Sequence, residues 1–178
     1  MFLTNFSNFF KLKQLDMKHL LLILAVFIAF SASAQQKSPH DTVSVGQVTI
    51  TYGRPYKKAR EIFGGLVPYG QVWRLGADQA TLITFKKDGK FGGKDVKAGT
   101  YTLFAIPATY EWTFILNSQL GQWGAFSYEQ NKSKDVLQVN VPVGTLEHEV
   151  EQFTIRLTNK PSMIVEWDKT QVTVPMSF

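Results

Sequence analysis

Period-two alternation limits this chain more than any other feature of its sequence. Leu137, Val139 and Val141 alternate with Gln138 and Asn140, and Phe153, Ile155 and Leu157 alternate with Gln152, Thr154 and Arg156. Successive strand side chains point to opposite faces, so each segment offers one apolar row to a core and one polar row to water. Val48, Ile50 and Tyr52 do the same against Thr49 and Thr51, giving a strand over 43–52. Further β-branched and aromatic runs stand at 80–85, around Phe91, and at 100–106, 112–116, 163–167 and 171–176. Turn residues separate them, among them Lys86-Lys87-Asp88-Gly89, Gly92-Gly93-Lys94-Asp95 and Asp168-Lys169. Beyond residue 34 no run of ten or more residues carries a helical period, although a single helical turn fits at 57–63. Eight or so short strands without helices predict an all-β fold. The expected form is a single-domain antiparallel β-sandwich, jelly-roll-like or a flattened barrel.

The N-terminus is read separately. After Met17-Lys18-His19 comes an apolar run at 20–30, then Ser31-Ala32-Ser33-Ala34. A charged start, a short hydrophobic run and an Ala-x-Ala end predict a secretory signal peptide cleaved after Ala34. The run is too short for the ~20 residues of a spanning helix, so no membrane span is expected after cleavage. Residues 1–34 are assigned to an N-terminal extension and signal, starting at Met1 or Met17; 35–41 to a polar leader; and 42–178 to the all-β domain. The expected location is the periplasm or beyond. Losing Lys11, Lys13, Lys18 and Asp16 with the signal lowers the net charge from +5 to +3. No basic cluster exceeds Lys57-Lys58-Ala59-Arg60, so nucleic acid is not an expected partner. The chain has no cysteine, which excludes disulfides, thiolate metal sites, cysteine nucleophiles and lipid attachment through cysteine.

Residues 52–81 lack either period, yet are rich in aromatic residues, glycine and arginine. Flexible linkers lack large apolar side chains, so this is an ordered loop, functional or packed on its own side chains. Tyr52, Arg54, Tyr56, Arg60, Tyr69, Trp73, Arg74 and Asp78 form the candidate ligand-binding group. Aromatic faces with planar guanidinium forks suit a sugar ring, a carboxylate or a peptide. In the architectural reading of the same residues, Trp73 and Tyr69 pin the loop while the arginines cap carbonyls and pair with Glu61 or Asp78. Trp123, Phe126 and Tyr128, in a second loop at 117–134, are candidates to join the surface.

Other chemistries find less support. The glycines at 53, 64, 65, 70 and 76 match no phosphate-loop spacing. Glu61, Asp78 and Glu166 could act in acid–base catalysis only if two of them converged on a cleft. Glu147-His148-Glu149 on a strand would split its ligands between two faces, which spoils a metal site; a solvated turn before the strand at 150–157 is expected instead. No serine sits in a nucleophile motif. No catalytic residue, metal or cofactor is assigned.

Several motifs carry a resemblance. Tyr52-Gly53-Arg54-Pro55, Ile62-Phe63-Gly64, Leu66-Val67-Pro68-Tyr69-Gly70, Val72-Trp73-Arg74, Gly76-Ala77 and Ala80-Thr81 lie in the long loop. Ala98-Gly99-Thr100-Tyr101, Ile106-Pro107, Trp112, Trp123-Gly124 and Glu166-Trp167 follow. From about Ser38 to the C-terminus the chain resembles an exported bacterial family named domain of unknown function 2911. It departs from the family at Asp78, where asparagine is more common, and at Gln138, where arginine is common. The resemblance implies export and no assigned activity. The expected function is a non-catalytic binding or envelope-associated module for a glycan, peptide or envelope component. The alternatives are a hydrolase of sugars or envelope polymers using Glu61 or Asp78, and a structural or assembly protein.

Overall fold

A computed structural model describes residues Ser38–Phe178. The predicted signal peptide and the cleavage after Ala34 lie outside the described residues. Nine strands follow in chain order: β1 (His40–Val45), β2 (Val48–Gly53), β3 (Thr81–Phe85), β4 (Gly89–Phe91), β5 (Lys94–Val96), β6 (Gly99–Ile106), β7 (Glu111–Asn117), β8 (Asp135–Thr158) and β9 (Ser162–Ser177). All pairings are antiparallel, and the order across the sheet is β1-β2-β3-β6-β7-β8-β9-β4-β5. The all-β expectation therefore stands. The flattened-barrel form does not, because the nine strands make one open sheet.

That sheet is folded over its own core, and the long strand β8 makes the passage. Its first part pairs with β7 as far as Pro142, and from Val143 onward it pairs with β9. One buried cluster draws Ile50, Ile83, Leu103 and Phe114 from the first half of the sheet and Phe153, Val165, Trp167 and Val174 from the second. At its centre Trp73 stacks on Trp167 with ring centroids 6.1 Å apart, and Phe63, Trp112 and Phe153 meet these rings edge-on. Such ring pairs add about 0.5–1.5 kcal/mol each beyond their buried area. The halves are also stitched backbone to backbone beyond β2: Lys57 N–H donates to Glu151 O, and Phe153 N–H to Pro55 O.

Several boundaries differ from those read in the sequence. The strand expected at 43–52 is a hairpin, turning at Gly46-Gln47, and it begins at His40 inside the expected leader. The predicted strands at 136–141 and 150–157 are one strand, as are those at 163–167 and 171–176. The intervening polar residues do not turn the chain. They shift the β8–β9 register between Thr145 and Val150 and again between Val150 and Thr154, with Asp168 opposite at φ 55°. Extra residues on one strand are absorbed as bulges, which bend a ladder without ending it. Glu147, His148 and Glu149 lie exposed within that stretch, inside β8 rather than in a turn before a strand. No helical turn forms at 57–63; the one α-helix among the described residues is α1 (Tyr128–Asn131).

The second loop, which contains α1, covers the outer face of the sheet. Phe104 of β6 and Ile115 of β7 point away from the main core and pack with Ala80 and Tyr128. This explains why residues 103–105 and 114–116 are buried without alternation: both faces of the β6–β7 pair are covered.

Candidate functional site

The long loop leaves β2 after Gly53 and returns to the sheet at Trp73. There Trp73 and Ala105 exchange two backbone hydrogen bonds, at 2.7 and 2.9 Å, and Gly70 N–H donates to Pro107 O. Residues 70–73 thus prolong the β3 edge along β6, and residues 74–80 form an insertion between them. Alternation sends Trp73 into the core and leaves Val72 and Arg74, both half-buried, on the outer side. Ile62, Val67 and Leu75 are buried as well, so the loop is pinned by its own apolar side chains.

The insertion is held tightly. A Cβ at Gly53 would stand 2.2 Å from Ala77 O, so only glycine lets these two backbones meet. Thr81 Oγ1 donates to Leu75 O at 2.6 Å. Ala80 N–H donates to Gln122 O and Gly124 N–H to Asp78 O, both at 3.0 Å, which zips the insertion to the second loop. His40 Nε2 lies 3.2 Å from Asp78 Oδ2 and ties it to the start of β1. Leu75 (φ 53°) and Asp78 (φ 63°) sit in the left-handed region, at a cost of roughly 1–2 kcal/mol each. Strain of this kind gathers where surrounding structure forces a particular loop shape, commonly at binding sites.

The candidate residues divide. Tyr52 and Trp73 are core residues. Arg54 belongs to the seam between β1 and β8: it donates to Asp41 Oδ2 (3.1 Å), Phe153 O (3.3 Å) and Thr154 Oγ1 (3.0 Å). Its acidic partner is Asp41, not Glu61 or Asp78. Arg60 is exposed and caps the carbonyls of Lys57 and Tyr56. Tyr56 bridges to Gln152 at the seam, and Tyr69 is exposed with its ring against Gly64. Arg74 and Asp78 stay together, since Arg74 Nη1 donates to Asp78 O at 3.2 Å.

Arg74 also has aromatic company from the second loop. Its Nη1 and the Phe126 ring lie 3.2 and 2.8 Å from the place a Gly124 Cβ would take, and Gly124 (φ 64°) leaves that place empty. Phe126 is 79% exposed and Trp123, bridged to Gln79, is 54% exposed. Tyr128 does not join this surface. It is buried, its hydroxyl donates to Asp135 Oδ2 at 2.7 Å, and burial followed by that bond raises its pKa. Sequence reasoning missed His40 as the partner of Asp78, because only the β1–β2 hairpin brings residues 38 positions apart together.

Of the three candidate carboxylates, Glu61 is exposed, Asp78 faces His40, and Glu166 is fully engaged. Glu166 accepts from Arg156 Nε (3.0 Å) and Nη2 (2.7 Å) and from Gln171 Nε2 (2.6 Å); the Arg156 bond chiefly holds its pKa below the usual range. Lys57 spans Glu149 and Asp168 at 2.7 and 2.8 Å. Among the described residues no group of three or more His, Asp or Glu is placed to hold a metal ion. The open recess around Asp88, Lys90, Asp95 and Lys97 at the β4–β5 hairpin shares no residue with the loop site, and its charges pair with one another.

A family model described as Protein of unknown function (DUF2911) matches residues 33–176. The chain belongs to this family. The DUF2911 match covers β1 to β8, nearly all of β9 and both loops of the candidate site, as the motif resemblance implied. No curated protein and no solved structure matches the chain. The DUF2911 description carries no activity, so the functional reading rests on the site's own geometry.

Proposed function

We propose that this protein is an exported, non-catalytic binding module whose surface is Arg74, Trp123 and Phe126. Arg74 supports this reading most directly: among the described residues one of its three guanidinium nitrogens, Nη1, has a partner, the exposed Phe126 ring stands beside it, and exposed Trp123 adjoins Gly124 in the same loop. Exposed rings and a planar cation on loops held rigid by backbone hydrogen bonds provide ligand contact at little ordering cost. Arg54 and Arg60 are left out of the site, because their donors serve the seam and the loop itself. Of the carboxylates put forward for acid–base work, Asp78 is met by His40 and Glu166 by Arg156 and Gln171, which favours binding over hydrolysis.

The test is a glycan array and a peptidoglycan pulldown with the exported protein, beside Trp123→Ala and Phe126→Ala. Retention by a glycan, lost in both variants without a change in melting temperature, supports the reading. Empty results in both assays sink it.

A further inference from the structure

The edge of Arg74 without a protein acceptor indicates what the surface takes, given the binding reading above. Nη1 is committed to Asp78 O. Nε and Nη2 have no acceptor among the described residues, yet no buried side-chain nitrogen or oxygen there lacks a partner. Neither atom is therefore fully buried. This same pair grips a carboxylate elsewhere in the molecule: Arg156 holds the two oxygens of Glu166 with Nε at 3.0 Å and Nη2 at 2.7 Å. A guanidinium fixed through Nη1, with no acceptor among the described residues on its Nε–Nη2 edge, is preorganised for a planar two-oxygen anion.

The flanking rings select the body that carries the anion. A pocket that swallows a peptide side chain buries its lining, but Phe126 and Trp123 keep 79% and 54% of their surface in water. They offer flat faces, which suit the C–H faces of a pyranose. No acidic side chain among the described residues pairs with Arg74, so an incoming carboxylate breaks no ion pair there. We propose that the ligand is a saccharide bearing a carboxylate, of the uronic-acid class, with Arg74 holding the carboxylate side-on and Trp123 and Phe126 stacking the sugar.

The experiment titrates the exported protein with oligogalacturonate, with its methyl ester and with a sugar phosphate, following tryptophan fluorescence. The acid is expected to bind at least about tenfold more tightly than the ester. Arg74→Lys, which keeps the charge and loses the fork, should reduce that preference and Arg74→Gln remove it, and Phe126→Ala should weaken acid and ester alike. Equal binding of acid and ester, or preference for the sugar phosphate, overturns the carboxylate assignment and leaves the binding surface standing. Failure to bind any of the three, with a glycan array that retains only neutral sugars through Phe126, overturns this inference alone. Failure of titration and array together overturns both.

Discussion

The Tyr52 hydroxyl satisfies both backbone groups of Ile155: it accepts from the N–H at 2.9 Å and donates to the C=O at 3.2 Å. Tyr52 lies next to the end of β2 and Ile155 on β8, with three strands between them in the sheet order. One side chain thus serves the edge of a strand that no neighbouring strand covers at that point. Removing it while keeping the ring leaves two buried backbone groups unpaired. Tyr52→Phe is expected to cost about 1–3 kcal/mol in urea unfolding, with the fold retained.

Alkaline unfolding should report on Tyr128. Burial, and then its bond to Asp135, raise its pKa above the ordinary 10.0, so its neutral form is the one the fold favours. Its contribution is complete below pH 10 and declines as pH rises beyond that value, because only the unfolded chain ionises there. Wild-type stability should fall more steeply above pH 10 than that of Tyr128→Phe. Parallel curves would show that the hydroxyl is not buried as described.

Acid acts in the opposite sense through Glu166. Arg156 and Gln171 lower its pKa below the ordinary 4.5, so its contribution is present above that value and is lost as pH falls through the lower, folded one. Half of the Arg156 side chain is in water, so the effect is screened and amounts to about 1 kcal/mol at most. Urea unfolding at pH 7 and pH 3 should show a smaller difference for Glu166→Gln than for the wild type.

Backbone crowding makes Gly53 the most sensitive point of the long loop. A methyl there meets Ala77 O, which cannot rotate away as a side-chain atom could. Gly53→Ala should cost about 3 kcal/mol or prevent folding, read by circular dichroism and thermal melting.

Fluorescence separates the four tryptophans. Trp73, Trp112 and Trp167 are buried and Trp123 is 54% exposed. Trp123→Phe should remove the red-shifted, acrylamide-quenchable emission and change stability by no more than about 0.5 kcal/mol. A large loss of stability would mean that Trp123 braces the loop rather than offering a face.

Much of the fold was legible because the signal is local. Phe153-Thr154-Ile155 declares its buried face by period, and Trp73 and Leu75 mark the loop as packed. The bulges were not legible. Asp168-Lys169 has turn chemistry whether it reverses a chain or bends a ladder, and pairing across β8 and β9 decides between the two. Among the arginines, sequence showed which could bind but not which were taken. Arg54 meets Thr154 across 100 positions, and Arg74 meets the second loop through Gly124.

By itself the amino-acid sequence determined that this is a β protein without disulfides and that residues 52–81 are ordered. Both follow from what each residue does within a few positions of itself: alternate its face, lack a thiol, or bury an aromatic ring. Tertiary structure alone decided that one sheet folds over its own core, that Arg54 is a clamp, and that Arg74 stands beside the exposed Phe126 ring. Those outcomes depend on which distant backbone carbonyl or carboxylate reaches a side chain first, and no local pattern records that contest.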